Sequence, residues 1–71
     1  MKRAEAVALL KELSASHLIQ PSCMSIEQRK PDRFQLCVKG DYDCELIELF
    51  LLDRELEFEE NPVKGLCIFK P

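Results

Sequence analysis

Two look-alike strings, Leu36-Cys37-Val38 and Leu66-Cys67-Ile68, constrain the fold of this chain more than any other feature. Each string closes a segment that reads as helix, strand, Pro-containing turn and strand. The doubled pattern covers nearly all of the 71 residues, which we interpret as one small domain over residues 1–71. It predicts an α+β fold of order α-β-β-α-β-β, with two helices packed on one face of a four-stranded, mainly antiparallel sheet. Whether the halves are a true duplication is left open, because alternating strands resemble one another.

The first helix is predicted over residues 2–16. An apolar stripe at three- and four-residue spacing marks its buried face, formed by Ala6, Leu9, Leu10 and Leu13. Pro21 prevents the helix from continuing, because proline lacks the N–H that a helix interior requires.

The second helix is predicted to begin after Gly40, with Asp41 or Asp43 as its N-cap, and to run to about Arg54. Its predicted buried residues are Leu46, Ile47, Phe50 and Leu51. Leu49 is placed at the flank of that face. Leu52 falls on the far side with two glutamates, where water is expected.

Strands are predicted where apolar and polar residues alternate, over residues 22–29, 33–39, 55–60 and 66–70. For the third of these strands, a competing interpretation extends the second helix through Glu60, because Glu and Leu favour helices. The strict alternation over residues 55–59 favours a strand. The order of the strands in the sheet is left open, and with it whether Cys37 meets Cys67.

The four cysteines form no CxxC motif, and the chain has one histidine, so neither a metal site nor a cofactor is predicted. The start of the chain is too charged to resemble a secretory signal, and no apolar run approaches a membrane span. We therefore expect a cytoplasmic protein with reduced cysteines and no membrane association. No pattern of nucleophile and base points to catalysis, and we expect the protein not to be an enzyme.

Charge is distributed unevenly along an acidic chain. Residues 1–40 carry seven basic and four acidic side chains, whereas residues 41–71 carry three basic and nine acidic ones. Nucleic-acid binding is not expected, because glutamates of the third strand share the outer sheet face with its few basic residues. Electrostatic attraction to a protein partner, or head-to-tail contact between copies, is an alternative use of this asymmetry.

Apolar residues on predicted outer faces suggest an interaction surface. They are Cys23, Cys37, Cys67 and Phe69 on the sheet and Leu52 on the second helix. These residues lead us to expect a non-enzymatic protein–protein interaction or regulatory module that forms a homodimer through its sheet, or binds another protein. One alternative is a thiol-based or small-ligand-binding protein that uses Cys37 and Cys67. A second is a nucleic-acid accessory protein.

Overall fold

The computed structural model describes residues 1–40 and 42–70, apart from the side chain of Cys44. The elements are helix α1 (Arg3–Ala15), a 3₁₀ turn (Pro21–Cys23), strand β1 (Met24–Lys30), strand β2 (Arg33–Val38), helix α2 (Cys44–Asp53), strand β3 (Glu57–Asn61) and strand β4 (Gly65–Phe69). The predicted fold class and element order are confirmed: two helices accompany a four-stranded open sheet whose pairings are all antiparallel.

The strand order is β1-β2-β4-β3, so the two hairpins join through their second strands. The register of β2 with β4 places Cys37 directly opposite Cys67, with Leu36 opposite Ile68 and Val38 opposite Leu66. The look-alike strings therefore pair with each other, and the order of the strands in the sheet is symmetric about that pairing.

The core lies between the helices and one face of the sheet. The helices contribute Ala6, Leu9, Leu13, Ile47 and Leu51, and the central strands contribute Leu36, Val38, Leu66 and Ile68. Ile19 and Met1 close one side, and the Met1 carbonyl accepts a hydrogen bond of 2.7 Å from the Phe34 amide. The thiols of Cys37 and Cys67 do not belong to this core, because both point to the opposite face of the sheet.

Both helices end in the same way, without glycine. His17 and Glu55 adopt positive φ angles of 60° and 56°, a conformation that reverses the chain after a helix. The next residue in each case, Leu18 or Leu56, donates its amide to the carbonyl five residues earlier, at 3.2 and 3.0 Å. The left-handed turn at Glu55 ends α2 before β3, so the alternative of a helix extended through Glu60 is wrong.

Two local expectations are corrected. Cys23 does not lie on the outer face of a strand, because Pro21 initiates the 3₁₀ turn and the half-buried Cys23 packs against the core. Leu46 is not buried, because α2 packs through the side that carries Ile47 and Leu51 and leaves Leu46 51% exposed. Of the two proposed caps, Asp43 accepts the Leu46 amide at 3.2 Å, and Asp41 lies outside the described residues.

Gly65 and Gly40 both have positive φ angles, but only Gly65 lies against backbone. A Cβ at Gly65 would stand 2.2 Å from the Val38 carbonyl oxygen, whereas one at Gly40 would meet the Cys23 Sγ at 3.2 Å.

Each substitution to alanine carries left-handed strain of about 1–2 kcal/mol. We predict that Gly65→Ala lowers the free energy of unfolding clearly more than Gly40→Ala in urea titrations, because it also separates β2 from β4. Equal losses would contradict the close approach.

Candidate functional site

The central feature of the outer sheet face is the pair of thiols that β2 and β4 bring together. The Sγ atoms of Cys37 and Cys67 lie 3.7 Å apart, and both cysteines are free. The two cysteines are neighbours because β2 pairs directly with β4, a strand order that the sequence left open. Each residue is only 2% exposed, although no helix covers this face. Both cysteines therefore lie on the predicted outer face, but other side chains cover them.

Long charged side chains cover the two thiols. Lys64, beside Gly65 at the start of β4, reaches back to Glu27 on β1, with Nζ 3.1 Å from Oε1. In the strand register, Cys37 and Cys67 lie between the position of Glu27 and that of Lys64. The ion pair between these two side chains therefore passes over the thiols. Exposed ion pairs contribute little energy on their own, and the apolar stems of such side chains exclude water as they pass.

Arg29 forms a second bridge across the same face. A β-bulge between Gln28 and Lys30 leaves Arg29 without a partner on β2, and such irregularities redirect side chains. Its guanidinium lies 4.1 Å from the centre of the Phe69 ring and 3.6 Å from the Glu59 carboxylate on β3. Phe69 is consequently half-buried beneath Arg29 rather than open to a partner.

This cover determines the protonation chemistry of the site. Burial raises the pKa of the Cys37 thiol to about 12, and the neighbouring Glu27 and Cys67 add to the effect. A hydrogen bond from Cys37, followed by the contact with Lys64, lowers the pKa of the Glu27 carboxyl below its ordinary value. Hydrogen bonding to Glu27 in turn raises the pKa of Lys64. The arrangement favours a protonated Cys37, which is a poor nucleophile and a poor metal ligand.

The largest exposed apolar side chains lie elsewhere, chiefly on α2. Leu46, Leu49 and Leu52 are 51%, 65% and 65% exposed, so Leu52 lies in water as expected. We call these three residues the leucine stripe. They recur every three residues along about 9 Å of helix, and Glu45, Glu48, Leu49 and Leu52 line a shallow groove of about 280 Å³.

The composition of α2 is itself a signal for this stripe. The α2 segment reads CELIELFLLD, in which apolar residues far outnumber what one face of a short helix can bury. Ile47 and Leu51 fill the buried side, and Phe50 lies half-buried with the Arg54 guanidinium 3.7 Å from its ring centre. The remaining leucines had to face water.

Other possible sites have less support in the structure. Within the described part of the chain, no three His, Cys, Asp or Glu side chains gather as a metal ion would require. His17 occupies the end of α1, where its positive φ ends the helix. Among residues 1–40 and 42–70, neither helix combines the length and apolar character needed to cross a membrane.

No protein-family model, curated protein or solved structure matches the chain. Its function is therefore inferred from its own residues and their contacts.

We predict that the two central thiols resist chemical modification in the folded protein. In a Cys23→Ala/Cys44→Ala variant, an aromatic disulfide reagent at pH 8 should react with Cys37 and Cys67 more than about tenfold slower than after unfolding, because burial hinders access and thiolate formation. A variant that retains only the half-buried Cys23 is the control and should show less protection. Reaction of the pair at the rate of the unfolded chain would contradict the proposed cover.

Stability should also fall at high pH through Cys37. Its folded pKa of about 12 exceeds the ordinary value of 9.0, so the unfolded chain loses this proton first. The stabilising contribution is complete below about pH 9.0 and declines towards pH 12, by up to about 1.4 kcal/mol per pH unit. Urea titrations between pH 8 and 11 should therefore show a steeper decline for the native sequence than for Cys37→Ala. Parallel declines would contradict the pKa shift.

Proposed function

We propose that the protein is a non-enzymatic protein-binding module whose docking surface is the leucine stripe. The observation that carries this proposal is the exposure of Leu46, Leu49 and Leu52 on one side of a helix whose opposite side is anchored in the core. Clustered apolar side chains at a surface are typical of interaction sites, whereas isolated ones are common everywhere. An anchored helix also presents them without a large ordering cost on binding.

The charges around the stripe indicate the chemistry of the partner. Glu45 and Glu48 line the same groove as Leu49 and Leu52, and Asp53 ends the helix. The C-terminal half of the chain is strongly acidic as well. The surface therefore suits an amphipathic helix of another protein that carries leucine-like residues with lysine or arginine beside them.

The same charges disfavour a second copy on this surface. A two-fold contact between leucine stripes would bring Glu45 and Glu48 near their own equivalents, and like charges at an interface oppose association. Homodimerisation through the outer sheet face stays a prediction, but the buried thiols and their charged cover remove the apolar patch that motivated it. The raised pKa of Cys37 likewise gives the thiol-based alternative no support. A cytoplasmic location is retained as part of the proposal, since reduced cysteines suit it.

Binding of designed helical peptides tests the proposal. We predict that a peptide of about 15 residues with leucines at helical spacing and lysines between them binds the protein, as seen by shifts in its ¹⁵N–¹H NMR spectrum. The double variant Leu49→Ser/Leu52→Ser should weaken binding by about tenfold or more, since each buried leucine contributes more than the 1.4 kcal/mol of a tenfold change. Folding should be preserved because both side chains are exposed.

Two controls make the result decisive. Val63→Ser removes another exposed apolar side chain, in the turn between β3 and β4, and should leave binding unchanged. A peptide with glutamates in place of the lysines should bind much more weakly. Equal binding of both peptides, or unchanged binding by the double variant, would overturn the proposal. So would a concentration-dependent dimer in analytical ultracentrifugation that the double variant abolishes, because the occupant would then be a second copy.

A further inference from the structure

A basic cleft with two aromatic rings lies at the end of the sheet where β2 begins and β4 ends. It encloses about 320 Å³ and is lined by Met1, by the rings of Phe34 and Phe69, and by four basic side chains: Arg29, Lys30, Arg33 and Lys70. We call it the basic cleft. It lies on a different part of the molecule from the leucine stripe, and none of its residues belongs to α2.

The concentration of positive charge is unexpected in so acidic a protein. Four of its ten basic residues line this one cleft. Lys30 and Arg33 are direct cross-strand partners, an arrangement of like charges that destabilises a hairpin. A bound anion would neutralise this repulsion, which would explain why the two like charges lie together.

Nearby acidic groups leave part of this charge uncompensated. Lys70 pairs with Glu5 at 3.0 Å, and Arg29 pairs with Glu59 at 3.6 Å. Within residues 1–40 and 42–70, no carboxylate lies within ion-pair distance of Lys30 or Arg33, although Asp32 occupies the turn between them. These two side chains are thus available to an external anion.

Aromatic side chains also line the cleft, with Phe34 packed towards the core and Phe69 on the outer face of the sheet. Phe34 and Phe69 are both half-buried, and Arg29 is held against Phe69 at 4.1 Å from the ring centre. The hydrogen bond between the Phe34 amide and the Met1 carbonyl fixes the position of β2 at the base of the cleft. Aromatic faces beside cations suit a ligand that has a planar ring as well as a negative charge.

We propose that the basic cleft binds a free nucleoside monophosphate. Lys30 and Arg33 would hold the phosphate through charge-assisted hydrogen bonds, and the base would lie against the Phe34 ring, since Arg29 already covers Phe69. A volume of about 320 Å³ falls at the small end of ligand pockets and suits one such unit. A longer strand is disfavoured, because Glu57 and Glu59 on β3 face outward beside the cleft and would repel further phosphates.

Titration of the ¹⁵N-labelled chain with four probes tests this site. They are adenosine monophosphate, adenosine, inorganic phosphate and a 5′-phosphorylated pentadeoxyadenylate. Adenosine monophosphate should bind more tightly than adenosine or phosphate alone, with NMR shifts centred on the cleft, and binding should weaken as salt is added. The oligonucleotide should bind no more tightly than the mononucleotide.

Two double variants with the same change in net charge distinguish binding in the cleft from general electrostatic attraction to the protein. Lys30→Gln/Arg33→Gln should weaken binding of adenosine monophosphate about tenfold or more, since two charge-assisted contacts are lost. The control Arg3→Gln/Lys11→Gln, at exposed positions of α1, makes the same change in net charge and should leave binding nearly intact.

Five results would overturn the proposal. Absence of binding would remove the site. Equal affinity for adenosine would remove the role of the phosphate charge. Equal affinity for inorganic phosphate would remove the role of the aromatic surface. Equal losses in the two double variants would reduce the effect to a general electrostatic attraction. Much tighter binding of the oligonucleotide would make the occupant a single strand rather than a free nucleotide.

Discussion

The pairing of β2 with β4 is the interaction on which the rest of this structure depends. One helix with one hairpin makes up only about half of this chain, and units below about 40 residues rarely bury enough apolar surface to fold alone. Joining the hairpins through their second strands places Leu36 against Ile68 and Val38 against Leu66, beneath both helices. The pairing requires close backbone approach, which Gly65 permits beside the Val38 carbonyl.

The same pairing determines what each face of the molecule can do. On the inner face it completes the core. On the outer face it brings Cys37 against Cys67, and the bridges from Lys64 to Glu27 and from Arg29 to Glu59 then span the sheet. The outer sheet face is consequently polar at its surface. The exposed leucines lie instead on α2, and the clustered basic side chains lie at the end of the sheet.

Sequence reasoning recovered the features that depend on local periodicity. Alternation identified each strand, and apolar spacing identified both helices and most of the core. It could not supply the strand order, because the choice between partners depends on contacts distant in sequence. It predicted where both helices end to within one residue, but not the positive φ angles of His17 and Glu55 that reverse the chain there, since most residues other than glycine rarely adopt them.

The candidate site was harder to predict than the fold for a definite physical reason. Parity along a strand tells which face a side chain occupies, but not whether neighbours cover it. Cys37 and Cys67 were placed on the correct face, yet their burial comes from side chains that reach across from other strands. The basic cleft similarly assembles residues from both ends of the chain, and only the folded structure brings them together.

Nuclear Overhauser effects between β2 and β4 would test the central claim most directly. We predict contacts between the backbone protons of Cys37 and Cys67 and within the flanking pairs Leu36–Ile68 and Val38–Leu66. Contacts from Cys37 to β3 instead, or the absence of any contact between β2 and β4, would contradict the strand order. The shared core and the covered thiols would then have no structural basis.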